Sequence, residues 1–594
     1  MDTSSQMEQS TAKVASIYVW TVWAVLTLAQ VALVARYGSS IPSWEDFDRV
    51  EVSLGVRPLT PSWLWFPRNE HRMPLPLLVL VGLDQFGPCD QRAGMLANVA
   101  ILALASGCSL ASARRLRGGT HAITDALLPI TLLGLSQAAN VLWATQLQIV
   151  LAQSIVFVIT YLALRGPSDR LSGRRMAVAG LLTATLPLCG ASGLAYVPAL
   201  ALWLVATGLS RLRDPDRAGR KSGWFSIACA SPALLLLVLY FRGFTRSPQH
   251  AGAEGLGAVG RALVQLASLA LGLSARDAWP VAGVVVLALG VVTALMLMHS
   301  IGRRPSARAR NAFLLAALAG AGSLAAGLAW GRAGSGPRIG LEERYVTMAV
   351  PLLVLPYLVL CTRTGLWMGR LLPLGLFTLV LVLAWPNTRA ALTLAQEHAS
   401  RMTEVSQSIR RGEPMSLFIR RHTPMLHPYP ETLARTLPIL KRAGVRPFDE
   451  LREDPPAAWV SVPVEPTELR FAEPIGDGRT FRITNVDPWI TLRLDRPRPV
   501  LAVRLKYDHA NPAGLAARFI LTWRHDASQA FDGPERRVPV WGMPSGKNQR
   551  IDLRIGDLVE SIRIQPDNTP GTFRIESLEV LVPHKAGLAD QPPG

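Results

Sequence analysis

Long apolar runs separated by short polar stretches fill the chain from Val14 to Pro386. The runs centre on 14–36, 92–113, 122–138, 145–164, 176–190, 192–210, 223–241, 279–298, 312–330, 345–361 and 371–386. A helix of roughly 20 apolar residues crosses about 30 Å of hydrocarbon, so the pattern predicts about eleven membrane spans. Many spans follow the first, which is therefore read as a retained helix rather than a signal peptide. The run MPLPLLVLVGLDQFG (73–87) is shorter, broken by Pro74 and Pro76, and ends on Asp84 and Gln85. It predicts a helix lying in the membrane interface, and 258–274 predicts a second.

Beyond Pro386 the pattern changes. From 388 to 452 it is polar and helical, as in ALTLAQEHASRMTEVSQSIRRG and YPETLARTLPILKRAG. From 456 onward short alternating runs (TFRITNV, ITLRLD, VLAVRLKY, ARFILTW, QRIDLRI, ESIRIQP) are separated by Pro, Gly, Asp and Asn. Short strands with turn signals at this spacing predict a β-sandwich, jelly-roll-like, of roughly 140 residues. The expected organisation is a polytopic α-helical membrane domain over 1–386 with a large first outer loop (37–91), a helical linker over 387–455, and the sandwich over 456–594.

The basic residues assign the sides. Arg114, Arg115 and Arg117 follow the second run; Arg165, Arg170, Arg174 and Arg175 the fourth; Arg211, Arg213, Arg217, Arg220 and Lys221 the sixth; Arg303, Arg304, Arg308 and Arg310 the eighth; Arg363 and Arg370 the tenth. All fall on one side, as cytoplasmic loops require. The loop 37–91 and everything after Pro386 then lie outside. The Ala, Arg, Leu and Gly usage is of a bacterial kind, which makes that side the periplasm of an inner-membrane protein. The formal charge of +19 over 594 residues thus reads as topology, and no nucleic-acid partner is expected. The 5 cysteines form no CxxC pair, so neither a disulfide framework nor a zinc site is expected.

Three outer groups carry candidate chemistry. PSWEDFDRV holds Glu45, Asp46 and Asp48; WLWFPRNEHR holds Arg68, Glu70, His71 and Arg72; GRAGSGPRIGLEERYVTMAV holds Arg332, Arg338, Glu342, Glu343, Arg344 and Tyr345. A carboxylate at the membrane surface can take the proton of an attacking hydroxyl. A guanidinium stays charged and meets phosphate oxygens two at a time, and His71 can donate to a phosphate or move a proton. Charged residues beside a span are commonly solvated flanks or snorkelling anchors. Arg68 and Arg72, however, lie on the side that short loops keep poor in arginine. Asn140, Gln146 and Gln148, near the outer turn between the third and fourth runs, are candidates to line a cavity, although helix–helix hydrogen bonding is their commoner role. Trp489, Trp523 and Trp541 read as core first and sugar-stacking residues second. The tail histidines His422, His427, His509 and His525 lack metal-ligand spacing.

Together WEDFDRV, NEHRMPLP, NVLWATQLQIVLAQ and ERYVTMAVPLL resemble the GT-C superfamily of polytopic membrane glycosyltransferases, in its bacterial type that uses polyprenyl-phosphate sugars. The resemblance covers most of 14–386; the sandwich resembles carbohydrate-binding modules. It implies an enzyme that transfers a sugar from a polyprenyl-phosphate donor to an envelope glycan, lipid or protein acceptor on the periplasmic face, among membrane lipids. It implies Glu45 or Asp46 as base, with Asp48 beside them. Donor contacts would come from Glu70, His71, Arg72, Arg338, Arg344, Tyr345 and Gln146. No cofactor is expected; with a single acidic cluster, a divalent metal is not favoured. Two other classes remain: a non-catalytic envelope scaffold that binds glycan, and a lipid-linked sugar transporter or flippase.

Overall fold

The structure is a computed structural model that describes residues 3–68, 70–87, 89–164, 172–213, 217–244, 252–253, 255–304, 307–423, 425–453, 459–476, 479–484, 487–510, 516–531, 536–544, 546–566 and 571–583. The chain divides into two compact units. The first comprises 1–42 and 51–404; the second comprises 43–50 and 405–594.

Among the described residues, 9 helices of the first unit are long and apolar enough to cross a membrane: Ser10–Tyr37, Gln91–Leu116, Ala144–Ala163, Ala191–Leu212, Ala218–Phe241, Trp279–Arg303, Arg308–Ser335, Glu343–Leu360 and Trp367–Arg410. Each overlaps an expected run. The last continues through Pro386 and past the unit boundary. Glu343–Leu360 is the central helix, with 89% of its apolar stretch buried, against 22% for Trp279–Arg303. The latter turns Val281, Val284, Val291 and Leu295 outward, as a lipid-facing helix does.

Two expected runs are broken rather than continuous. The run 122–138 forms Ile123–Ala126, Leu127–Leu133 and Leu135–Gln137, interrupted at Gly134. The carbonyls freed by that break are satisfied from afar: the Gln30 Nε2 amide, fully buried on the first helix, donates to Leu133 O and Gly134 O at 3.0 Å each. The run 176–190 forms Gly173–Thr185 and then a 3-10 turn, Leu186–Cys189, with Pro187 inside it and Gly190 at φ 99°. The two short apolar helices appear where interfacial helices were expected, at Pro74–Asp84 and Leu256–Leu271.

Small residues let helices approach. Gly208 and Gly223 face each other across Val197–Leu212 and Arg217–Phe241, where a Cβ on either would come within 2.7 Å of the other's carbonyl oxygen. A charged cluster locks one end of the bundle. Asp125, fully buried, takes Arg117 Nε at 3.1 Å and the Tyr357 hydroxyl at 2.8 Å, with His121 Nδ1 at 3.3 Å. A buried carboxylate needs such company, and His121 and Asp125 are thereby bound into structure.

In the second unit, Met415–His422 and Pro430–Arg442 precede an antiparallel sheet. Its described strands are β1 (Trp459–Pro463), β2 (Glu468–Arg470), β3 (Ala472–Ile475), β4 (Thr480–Ile483), β5 (Trp489–Ala510), β6 (Ala516–Arg524), β7 (Arg537–Pro544), β8 (Gly546–Gln565) and β9 (Gly571–Pro583). The order is β3-β4-β9-β5-β8-β6-β7, with β1 on β9 and β2 on β5. The long strands β5 and β8 shift register near Arg493, Val500 and Tyr507, and such bulges bend a sheet. Leu492, Val503, Leu505, Phe519, Leu521, Ile562 and Phe573 form one apolar core. Trp523 belongs to that core, 5% exposed, and its indole N–H donates to Asp557 at 3.1 Å. Trp489 is half-buried; the Trp541 side chain lies outside the described residues.

Candidate functional site

The three loop acids fall in the second unit, on a 3-10 helix, Trp44–Arg49. Ser43 opens it: the Ser43 backbone N–H donates to Asp46 Oδ2 at 3.2 Å, which satisfies an orphan donor at the helix start. Asp46 Oδ1 pairs with Arg49 Nη1 at 2.6 Å, each side chain 2% exposed. Asp46 is thus built into the turn, whereas Glu45 and Asp48 stay half-buried on the same helix. Trp44, just before Glu45, has φ 51°, a left-handed conformation that costs a non-glycine residue about 1–3 kcal/mol. It is held there by its backbone N–H, which donates to Leu426 O at 2.6 Å.

The same helix meets the segment LHPYPE (426–431), whose His427 was read from sequence only as lacking metal-ligand spacing. The His427 ring stands edge-on to Phe47, centroids 6.2 Å apart. Its Nδ1 lies 3.1 Å from the Tyr429 backbone N and 3.2 Å from the Tyr429 carbonyl oxygen. Burial pushes the His427 pKa down, against the opposing pull of Asp48. The lone histidine gave no metal spacing, and its signal lay in Pro428 and Pro430 on either side of Tyr429, which restrict the turn that follows it.

In the first unit, Arg68 and His71 close a tight hairpin by exchanging backbone hydrogen bonds at 2.9 Å. Glu70 sits at its turn and reaches Arg332 at 4.0 Å. His71 is half-buried beside it. Arg68 lies over the Trp63 ring at 4.3 Å and points Nη1 at Trp63 O. Arg72 is 8% exposed, and three of its N–H groups meet carbonyls: Nε to Tyr240 O at 3.1 Å, Nη1 to Trp65 O at 2.7 Å, Nη2 to Arg242 O at 2.9 Å. Burial lowers its pKa. Arg72 therefore pins the hairpin to Trp65 and to the end of the helix Arg217–Phe241. Gly190 passes close by: a Cβ there would meet Gln148 Oε1 at 3.5 Å and Arg72 O at 3.9 Å.

The third group is sorted in the same way. Glu343 pairs with Arg276 at 2.7 Å, and Arg276 also donates from Nε to Leu341 O at 2.8 Å. Arg276 and Arg332 were not read as partners from sequence, because their mates stand 67 and 262 residues away. Tyr345 is buried, 4% exposed. Arg344 lies over its ring at 5.6 Å and forms no ion pair among the described residues; its Nε is buried without an acceptor. Arg338 is exposed. Gln146 is 2% exposed, and its Oε1 accepts no hydrogen bond among the described residues; the same holds for both polar atoms of the fully buried Asn140. Asn98 Nδ2 braces this turn by donating to Asn140 O and Trp143 O at 3.0 and 3.1 Å.

Fold and site define a multi-pass membrane protein that carries a C-terminal antiparallel sheet domain. The chain aligns with the cryo-EM structure of arabinofuranosyltransferase AftD from Mycobacteria at 12% identity and a TM-score of 0.31, covering 97% of this chain and 59% of that one. It aligns with arabinosyltransferase EmbB from Mycobacterium smegmatis at 11% identity and a TM-score of 0.26, covering 95% and 64%. The chain thus spans about three-fifths of the length of the structures it matches. No family model and no curated protein matches it.

Proposed function

We propose that the chain is a glycosyltransferase of the inner membrane, moving a sugar from a polyprenyl-phosphate donor to an envelope glycan, lipid or protein acceptor on the periplasmic face. The observation that carries this reading is that Arg344 forms no ion pair among the described residues and its Nε is buried without an acceptor, whereas Arg72 meets three carbonyls and Asp46 lies in a buried ion pair.

In this reading the Glu45 carboxylate takes the proton of the acceptor hydroxyl. The oxygen attacks the anomeric carbon, and the bond from that carbon to the phosphate oxygen breaks. The electron pair leaves with the polyprenyl phosphate. In the first unit we assign Arg344 to the donor's phosphate and Gln146, Tyr345, Arg338, Glu70 and His71 to donor binding, with Glu70 4.0 Å from Arg332. Asp46 is bound to Arg49, and we propose transfer without a divalent metal. Incubating the purified chain with a panel of polyprenyl-phosphate sugars and following free polyprenyl phosphate tests the reading. Release from one donor supports it; no release from any donor, with or without mixed envelope acceptors, counts against it.

A further inference from the structure

The sheet of the second unit carries a face that the transfer reading leaves unused. Strands β5, β8 and β6 lie side by side. Their registers set Thr491 opposite Arg563 opposite Thr522, and Arg493 opposite Ser561 opposite Arg524. Side chains alternate along a strand. Leu492, Ile562, Ile564, Leu521 and Trp523 point into the apolar core, so these six share the other face. They make a grid of Thr-Arg-Thr over Arg-Ser-Arg.

The grid is rich in donors and poor in acceptors. Its neighbouring carboxylate Glu560 forms long ion pairs with Arg493 at 3.5 Å and Arg524 at 3.9 Å, so one carboxylate stands against the three guanidiniums. Arg524 also donates from Nη1 to Ala527 O at 3.3 Å. Arg563 forms no ion pair among the described residues. The guanidiniums of Arg563 and Arg524 lie over the Phe531 ring at 4.2 and 4.9 Å, which fixes their planes. Both Nε groups are buried without an acceptor among the described residues. Beneath them the Ser561 and Thr522 hydroxyls, 0% and 2% exposed, also lack a partner among the described residues. Neighbouring like charges repel, and buried donors without acceptors are unfavourable. A bound anion would repay both.

We propose that this face binds an oxyanion, a phosphate or carboxylate group carried by an envelope ligand, with the Arg563 and Arg524 forks gripping its oxygens and Arg493 at the open edge. Planar guanidiniums suit such groups because they bind two oxygens at once. The proposal goes beyond the transfer reading and stands if that reading fails.

The test is calorimetric titration of the full chain in neutral detergent with three probes: inorganic phosphate, glucuronate and dihexanoyl phosphatidylglycerol. At least one should bind saturably, and the one that binds names the source of the oxyanion. Affinity should fall about tenfold or more in Arg524→Gln/Arg563→Gln. Thr522→Val keeps every charge and the side-chain shape; it should weaken binding while leaving the unliganded melting temperature unchanged or higher. No saturable binding of any probe, or unchanged affinity in the folded double variant, overturns the proposal. Should the double variant fail to fold, unchanged affinity in Thr522→Val overturns it instead.

Discussion

Asp46 and Arg49 form a 2.6 Å ion pair with both side chains 2% exposed, three residues apart on the helix that also carries Glu45 and Asp48. Removing one member of such a pair strands a buried charge, at about 3–5 kcal/mol. Asp46→Asn should therefore lower the melting temperature of the second unit, while Glu45→Gln, at a half-buried position, should leave it in place. Differential scanning calorimetry of the two variants checks this; equal effects would remove the distinction between the two acids.

Arg72 and Arg344 should separate in the opposite sense. Arg72→Gln breaks three charge-assisted bonds to carbonyls, each worth about 1.5–3 kcal/mol, and should be read chiefly as lost thermal stability. Arg344→Gln should leave stability intact and lower the rate of transfer by about 10²–10³, the effect of removing one stabilising donor from a developing oxyanion. Thermal melting and steady-state rates on both variants decide it.

Glu431 gives the second unit a pH dependence. Both its carboxylate oxygens are shut off from solvent, and burial raises its pKa to about 7, with Arg554 offsetting part of that. A raised carboxylate binds its proton more tightly folded than unfolded. The stability it contributes is full below the unfolded value of 4.5 and is lost as pH rises through about 7. The shift corresponds to about 3 kcal/mol at most. Glu431→Gln should flatten that slope and raise the melting temperature at pH 8 relative to wild type; an unchanged slope would contradict the assignment.

Gly190 should resist substitution. Its φ of 99° means that Gly190→Ala should cost about 1–3 kcal/mol, while the space around it would admit the methyl group. A lower melting temperature of the Gly190→Ala variant would show it, and an unchanged one would contradict it.

Much of the fold was legible because its causes are local. Runs of apolar residues long enough to cross a bilayer appear as helices at the expected places, and the pattern changes near 456 from helix to strand. The two broken runs were hidden because Gly134 and Pro187 do not interrupt an apolar count; only Gln30, about a hundred residues away, shows why the break at Gly134 is tolerated. The candidate site was legible as residue types and not as roles. WEDFD announces acids, but that Asp46 turns back onto Arg49 depends on a 3-10 helix started by Ser43. NEHR announces a cation, but two of Arg72's three carbonyl partners lie 168 and 170 residues on. The Arg563 grid was invisible in sequence because it needs the register of three strands at once.

The most direct test of the central claim is single-turnover release of polyprenyl phosphate by wild type, Glu45→Gln and Asp46→Asn at a temperature where all three are folded. Glu45→Gln should slow release by about 10²–10⁴, the contribution of a general base, with Asp46→Asn retaining most of the rate per folded molecule. Full activity in Glu45→Gln would contradict the account.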